Sequence, residues 1–137
     1  QNENVRWLFD DPTEVAKDYY ARTGVYPVMH ILGVKKELAE KNPWLPNALF
    51  KAFTQSKKMA MDLLEDTSAT KVTLPFVEEQ LKAAKESLGE DFWSYGVGPA
   101  RKTLEMFVKH HHSQGLSSRL MKVEELFHPS TYETYSI

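Results

Sequence analysis

Cysteine is absent from the 137 residues, which excludes disulfides, thiol nucleophiles and thiolate metal sites and leaves the compartment open. No apolar run approaches the roughly 18 uncharged residues of a membrane-spanning helix. The longest candidate, Val25 to Val34, is interrupted by Pro27 and His30. An excess of one charge is also missing. With 17 basic and 19 acidic side chains the formal net charge is -2, so the clustered basic field that non-specific nucleic-acid binding requires is not available. Phosphate loops, paired-cysteine zinc sites, HExxH helices and GxSxG nucleophile elbows do not occur, and there is no internal repeat or low-complexity segment. The first residue is Gln1, without an initiator Met, a basic n-region or an apolar signal core; either a removed leader or a start inside a longer protein is expected.

What is present suits a folded chain. Hydrophobic residues make up 42% and aromatic residues 12%, and the length falls within the usual single-domain range. Asp11-Pro12-Thr13-Glu14 predicts a helix start, with Asp11 as cap and Pro12 at the first helical position, running to about Arg22 and stopped by Gly24. Val25 to Val34 is rich in β-branched and aromatic residues, is bounded by turn formers and predicts a strand, with Pro27 at its edge or beginning. Lys35 to Lys41 predicts a short helix. Asn42-Pro43 then restarts a helix to about Glu65, with Leu45, Leu49, Phe53, Ala60 and Leu64 on one apolar face and Lys51, Lys57 and Lys58 left for water. After a polar connection from Asp66 to Thr73, Pro75 opens a helix carrying Val77, Leu81, Ala84 and Leu88, which ends at Gly89. Glu90 to Pro99 holds Phe92, Trp93, Tyr95 and two glycines, a loop that packs. A helix from about Pro99 to Gly115 presents Leu104, Phe107, Val108 and His111, and Lys122 to Phe127 forms a last short helix closed by Pro129.

One strand cannot satisfy its own backbone ladder or bury both faces. The Val25 to Val34 strand is therefore expected to lie at an exposed edge or to find partners outside this chain, either in the rest of a larger α/β protein or in a second copy.

Few side chains stand out as chemistry. His110-His111-His112 cannot converge on one ion, because successive helical side chains diverge by about 100°; the plainer reading is a polar last turn with His111 on the packed side. His128 shows no partner and is read as surface. His30 sits inside an apolar segment, where a polar ring needs a partner, and is either a satisfied structural residue or a functional one. Arg101 follows the aromatic loop and suits a carboxylate or a structural ion pair equally. Tyr95 either donates to a ligand or anchors its loop.

Several ordered motifs add a resemblance. The stretch Asp18-Tyr19-Tyr20-Ala21-Arg22-Thr23-Gly24-Val25-Tyr26-Pro27-Val28-Met29-His30 resembles a segment of the 4,5-dihydroxyphthalate decarboxylase family. Asn42-Pro43-Trp44, Leu49-Phe50-Lys51-Ala52-Phe53, Gly89-Glu90-Asp91-Phe92-Trp93-Ser94-Tyr95-Gly96, Arg101-Lys102-Thr103-Leu104-Glu105, Gln114-Gly115-Leu116-Ser117 and Glu124-Glu125-Leu126-Phe127 follow in the same order.

The resemblance implies a helix-rich α/β fold, the C-terminal portion of a type II periplasmic-binding-protein-like pair of lobes. Residues 1–137 would form one region, with a hinge strand at about 25–34, a helical remainder over 35–127 and few strands of its own. It implies non-oxidative decarboxylation of a hydroxylated phthalate to protocatechuate, with His30 as the acid or base, Arg101 as the carboxylate clamp and Tyr95 as a hydroxyl contact. No cofactor is expected and no metal ligand set is offered. The expected partners are a small aromatic carboxylate and the absent N-terminal lobe, with a homodimer through the 25–34 strand as the alternative; neither nucleic acid nor membrane is expected. A cytoplasmic location follows from an enzyme, and a periplasmic one from the alternative, a solute-binding module of an uptake system, because lobes of this kind serve both.

Overall fold

Local signals in the sequence account for most of the helix ends in the computed structural model of the chain, which describes residues 4–68 and 73–132. Helix α1, Pro12–Thr23, begins where Asp11 accepts the backbone N–H groups of Thr13 and Glu14, both at 3.0 Å. These are two of the four donors that a helix start otherwise leaves open. It ends where Gly24, at φ 63, donates its N–H to the Tyr20 carbonyl, a left-handed turn that glycine adopts without strain. Helix α2, Lys36–Lys41, is short. Helix α3, Leu45–Glu65, spans 21 residues and ends where the sequence predicts. Its start lies two residues later than the Asn42-Pro43 pair suggests, with Trp44 in the cap position. Asn42 instead closes α2, its side-chain amide donating to the Leu38 carbonyl at 3.1 Å.

Helix α4, Val77–Leu88, starts two residues after Pro75 and stops at Gly89. Of the polar connection before it, residues 69–72 lie outside the described residues. Helix α5, Val97–Ser113, starts two residues earlier than Pro99, which a proline within the first turn permits. Two 3-10 turns follow, Val123–Leu126 and Pro129–Thr131. In the second of these His128 has a partner after all. Its Nδ1 lies 2.8 Å from the Ser130 hydroxyl and accepts the Ser130 N–H, so the exposed ring serves as a cap.

The strand expected over Val25 to Val34 does not form. Residues 25–35 carry neither helix nor ladder pairing, and the architecture among the described residues is all-helical. The physical reason is that a strand exists through its neighbours, and among the described residues no second strand lies alongside to accept or donate. Val28, Met29, Ile31 and Leu32 stand half or more exposed as a result.

Packing is correspondingly thin. Helix α3 is central, against α4 and the Pro129–Thr131 turn, while α1 rests on α4 and α5 on the Val123–Leu126 turn. Val97, Leu104 and Val123 make the buried cluster, with Ala100, Val108, Phe127 and Tyr132 around it. The Tyr20 hydroxyl donates to the Leu88 carbonyl at 3.1 Å, tying α1 to the end of α4. The Tyr132 hydroxyl donates to the Glu124 carbonyl at 2.8 Å.

Unpaired backbone exchanges its amide protons with solvent readily. In the isolated chain the amides from Val28 to Gly33 are expected to exchange with almost no protection, read by hydrogen–deuterium exchange with mass spectrometry. Slowing by about 10²-fold or more would show that the segment is paired after all.

Candidate functional site

The loop between α4 and α5 gathers most of the polar chemistry. Its anchor is Lys57 on α3, whose side chain is only 16% exposed. The ammonium group donates to Asp91 Oδ1 at 2.7 Å and to the Trp93 carbonyl at 3.3 Å. It also lies over the Tyr95 ring, 5.1 Å from the centroid, the arrangement in which a cation is attracted by a ring's π face. One side chain therefore grips the loop at 91, 93 and 95. The expectation that Lys57 faces water is corrected here. The half-buried stripe of α3 is Phe50, Thr54, Lys57, Met61 and Leu64, a 4-3-4-3 spacing legible in the sequence once Lys57 is allowed to contribute its aliphatic stem.

Tyr95 is half-buried in this loop, its ring beneath the Lys57 ammonium. His30 is exposed on the extended segment and has no hydrogen-bond partner among the described residues. The two segments meet at one point: Tyr26 and Trp93 pack edge to face with ring centroids 6.4 Å apart. Thus the segment that carries His30 departs from the loop that carries Tyr95, although no contact between His30 and Tyr95 is formed among the described residues.

Arg101, in the second turn of α5, is engaged within the chain. One guanidinium nitrogen lies 2.7 Å from Glu124 Oε1 and another 3.5 Å from Glu105 Oε1. The hydrogen bond to Glu124 and its charge, followed by Glu105, raise the Arg101 pKa above its ordinary value. Glu124 is lowered in turn, first by its own backbone N–H and then by Arg101. This is the structural ion pair that was one of the two readings of Arg101. The side chain is nevertheless 45% exposed, so solvent screens the pair.

Two shallow clefts lie beside α3, one under the α4–α5 loop and one against α4. The first, about 280 Å³, is lined by Thr54, Lys57, Lys58, Glu90, Asp91 and Trp93 among others. The second, about 450 Å³, is bounded by Leu64, Thr67, Leu81, Lys82, Lys85 and neighbouring glutamates. Neither is lined by His30, Tyr95 or Arg101. Their lysines already serve carboxylates, Lys57 with Asp91 and Lys85 with Glu65 at 2.6 Å and Glu90 at 3.1 Å. An anion with two carboxylates would meet those acids with little free positive charge. The histidine run follows its plainer reading: His110 and His112 are exposed, and His111 stacks on Phe107 at 5.6 Å. No group of three potential metal ligands occurs among the described residues.

The clearest titration belongs to Glu125. Arg119 reaches it with two nitrogens at 2.6 and 3.0 Å, and it accepts the Lys122 N–H at 2.7 Å. Hydrogen bonding from Arg119 and then from that amide takes its pKa from 4.5 to about 2. Because the folded value lies below the ordinary one, its contribution to stability is complete above the ordinary value and is lost as pH falls through about 2. Nuclear magnetic resonance should give a Glu125 midpoint near that value, and Arg119→Ala should return the midpoint toward the ordinary carboxylate range.

No family model matches the sequence. Against curated proteins, the chain is 50% identical over 133 residues, 97% of its length, to a protein of Comamonas testosteroni described as 4,5-dihydroxyphthalate decarboxylase. The resemblance carried by the ordered motifs thus extends over almost the whole chain. The matched residues amount to 40% of that relative, so the chain spans about two-fifths of its length.

Proposed function

We propose, on the premise of this likeness to 4,5-dihydroxyphthalate decarboxylase, that the chain is part of a carboxy-lyase acting on that compound or a related hydroxylated aromatic acid. The single observation that supports the reading is the half-identity maintained over 97% of the chain. A proton adds to the ring carbon that bears one carboxylate; the bond to that carboxylate then breaks, its electron pair restores the aromatic ring, and carbon dioxide leaves to give protocatechuate. A hydroxyl para to that carbon feeds electron density into the ring, and cations hold the second carboxylate.

In this reading His30 delivers or relays the proton, since imidazole exchanges protons near neutral pH. Tyr95 contacts a ring hydroxyl, with Lys57 fixing the loop that carries it. Arg101 takes the second carboxylate by exchanging Glu124 for substrate, a trade between two carboxylates at a partly exposed guanidinium. These groups stand on separate segments, and neither cleft of the chain contains all three. The site is therefore completed by the remainder of a longer protein, as a two-lobed α/β arrangement with the 25–34 segment crossing between lobes would do. The exposed residues 27–33, without ladder pairing, support that arrangement.

The test is turnover by the longer protein. Incubation with 4,5-dihydroxyphthalate should release carbon dioxide and protocatechuate in equal amounts, and His30→Gln should lower kcat by about 10²-fold or more. Binding without release of carbon dioxide would replace the enzyme with a solute-binding module. An unchanged rate with a lowered melting temperature would assign His30 to structure.

A further inference from the structure

Helix α3 has two apolar sides, and this chain covers one of them. The half-buried stripe through Phe50, Thr54, Lys57, Met61 and Leu64 faces the packed elements. At 100° per residue, a second arc of about 140° runs beside it. That arc holds Leu49, Ala52, Phe53, Met59, Ala60 and Leu63, with the small hydroxyl of Ser56 as its polar member, and no charged residue falls on it anywhere from Leu45 to Leu63. Lys51, Lys58, Asp62 and Glu65 all lie outside it. Phe53 is 47% exposed, Met59 61% and Leu63 52%, and Ala52 and Ala60 are exposed as well. A surface helix ordinarily carries one apolar stripe and a polar back. An uncharged second face of this width is built for burial.

We propose that this second face of α3 is the docking surface for the remainder of the longer polypeptide, and not for a second copy of this chain. The size of the deficit identifies the occupant. A folded monomer of this mass exposes about 7,300 Å², whereas the chain exposes 11,120 Å². The difference is several times the roughly 800 Å² that each partner buries in a standard protein–protein complex. A single dimer contact leaves most of it uncovered. Three-fifths of the relative has no counterpart in this chain, which is enough polypeptide to cover the α3 face together with the apolar 28–32 segment. The lack of charge on the arc requires a counter-face that is itself apolar, and small Ala52 and Ala60 beside large Phe53 and Leu63 suit an interdigitated helix or sheet surface. This inference rests on the proposed membership in a longer protein but not on any activity.

The experiment measures accessibility in that longer protein. Met59→Cys and Leu63→Cys should react with a maleimide about 10²-fold more slowly than the solvent-facing control Lys58→Cys, independently of protein concentration. As a readout free of substitution, Met59 in the unaltered protein should resist peroxide oxidation until denaturant is added. Equal labelling of all three cysteines, or free oxidation of Met59, would overturn the proposal. So would protection that disappears on dilution, which would assign the face to a second copy. Each result is obtained with or without decarboxylation, so failure of the enzyme reading leaves a distinct signature.

Discussion

The chain's behaviour is governed by the mismatch between the apolar surface it carries and the surface it can cover. Four hydrophobic side chains are buried among the described residues, Val25, Val97, Leu104 and Val123, while residues as large as Trp7 and Leu8 stand more than four-fifths exposed. Burial of apolar area is the main favourable term in folding, and conformational entropy opposes it along the whole backbone. Helices held by so small a cluster depend heavily on their local devices: caps such as Asp11, the left-handed glycine at 24, and tethers such as Tyr20 to the Leu88 carbonyl. The caps define where helices begin and end, and it is left to the few tethers to fix how helices sit against each other.

Charge at the α4–α5 loop supplies what apolar packing does not. Exposed pairs within one helix, such as Arg22 with Asp18 and Lys58 with Asp62, contribute little. Lys57 differs because its side chain is largely withdrawn from water and its three interactions reach three residues of a loop 34 to 38 positions away. Trp93 then passes the constraint to Tyr26 through ring packing. A single ammonium thus links the helix at the centre of the fold, the loop bearing Tyr95 and the base of the segment bearing His30.

Legibility in the sequence followed the range of the physics involved. The ends of α1 at Asp11 and Gly24, of α3 at Glu65 and of α4 at Gly89 were readable because the residues that cause them lie within one turn of the boundary. The start of α3 was misplaced because Asn42 makes its bond backwards, to α2, and composition does not reveal direction. Lys57 looked like solvent-facing charge because its partner Asp91 is distant in sequence. The 25–34 segment had every local property of a strand and none of the neighbours. Arg101 had two equally natural partners on paper, and only the fold brings Glu124 beside it.

The same segment joins the fold to the chemistry. If the segment became an extended strand in the proposed longer protein, alternate residues would share a face, with Val28, His30 and Leu32 on one side and Met29 and Ile31 on the other. Both sides are apolar, the pattern of a strand covered on both faces and not of an edge strand with one wet side. A surface covering this segment, as in the proposed longer protein, would withdraw His30 from water along with its two apolar neighbours. An imidazole so placed would require a polar partner, because an unpaired buried ring is costly, and none is supplied among the described residues. In that arrangement the partner would arrive with the covering surface or with a ligand held against it. The requirement that makes the segment sticky in isolation is also what would place a proton-exchanging group at the floor of a closed, water-poor site.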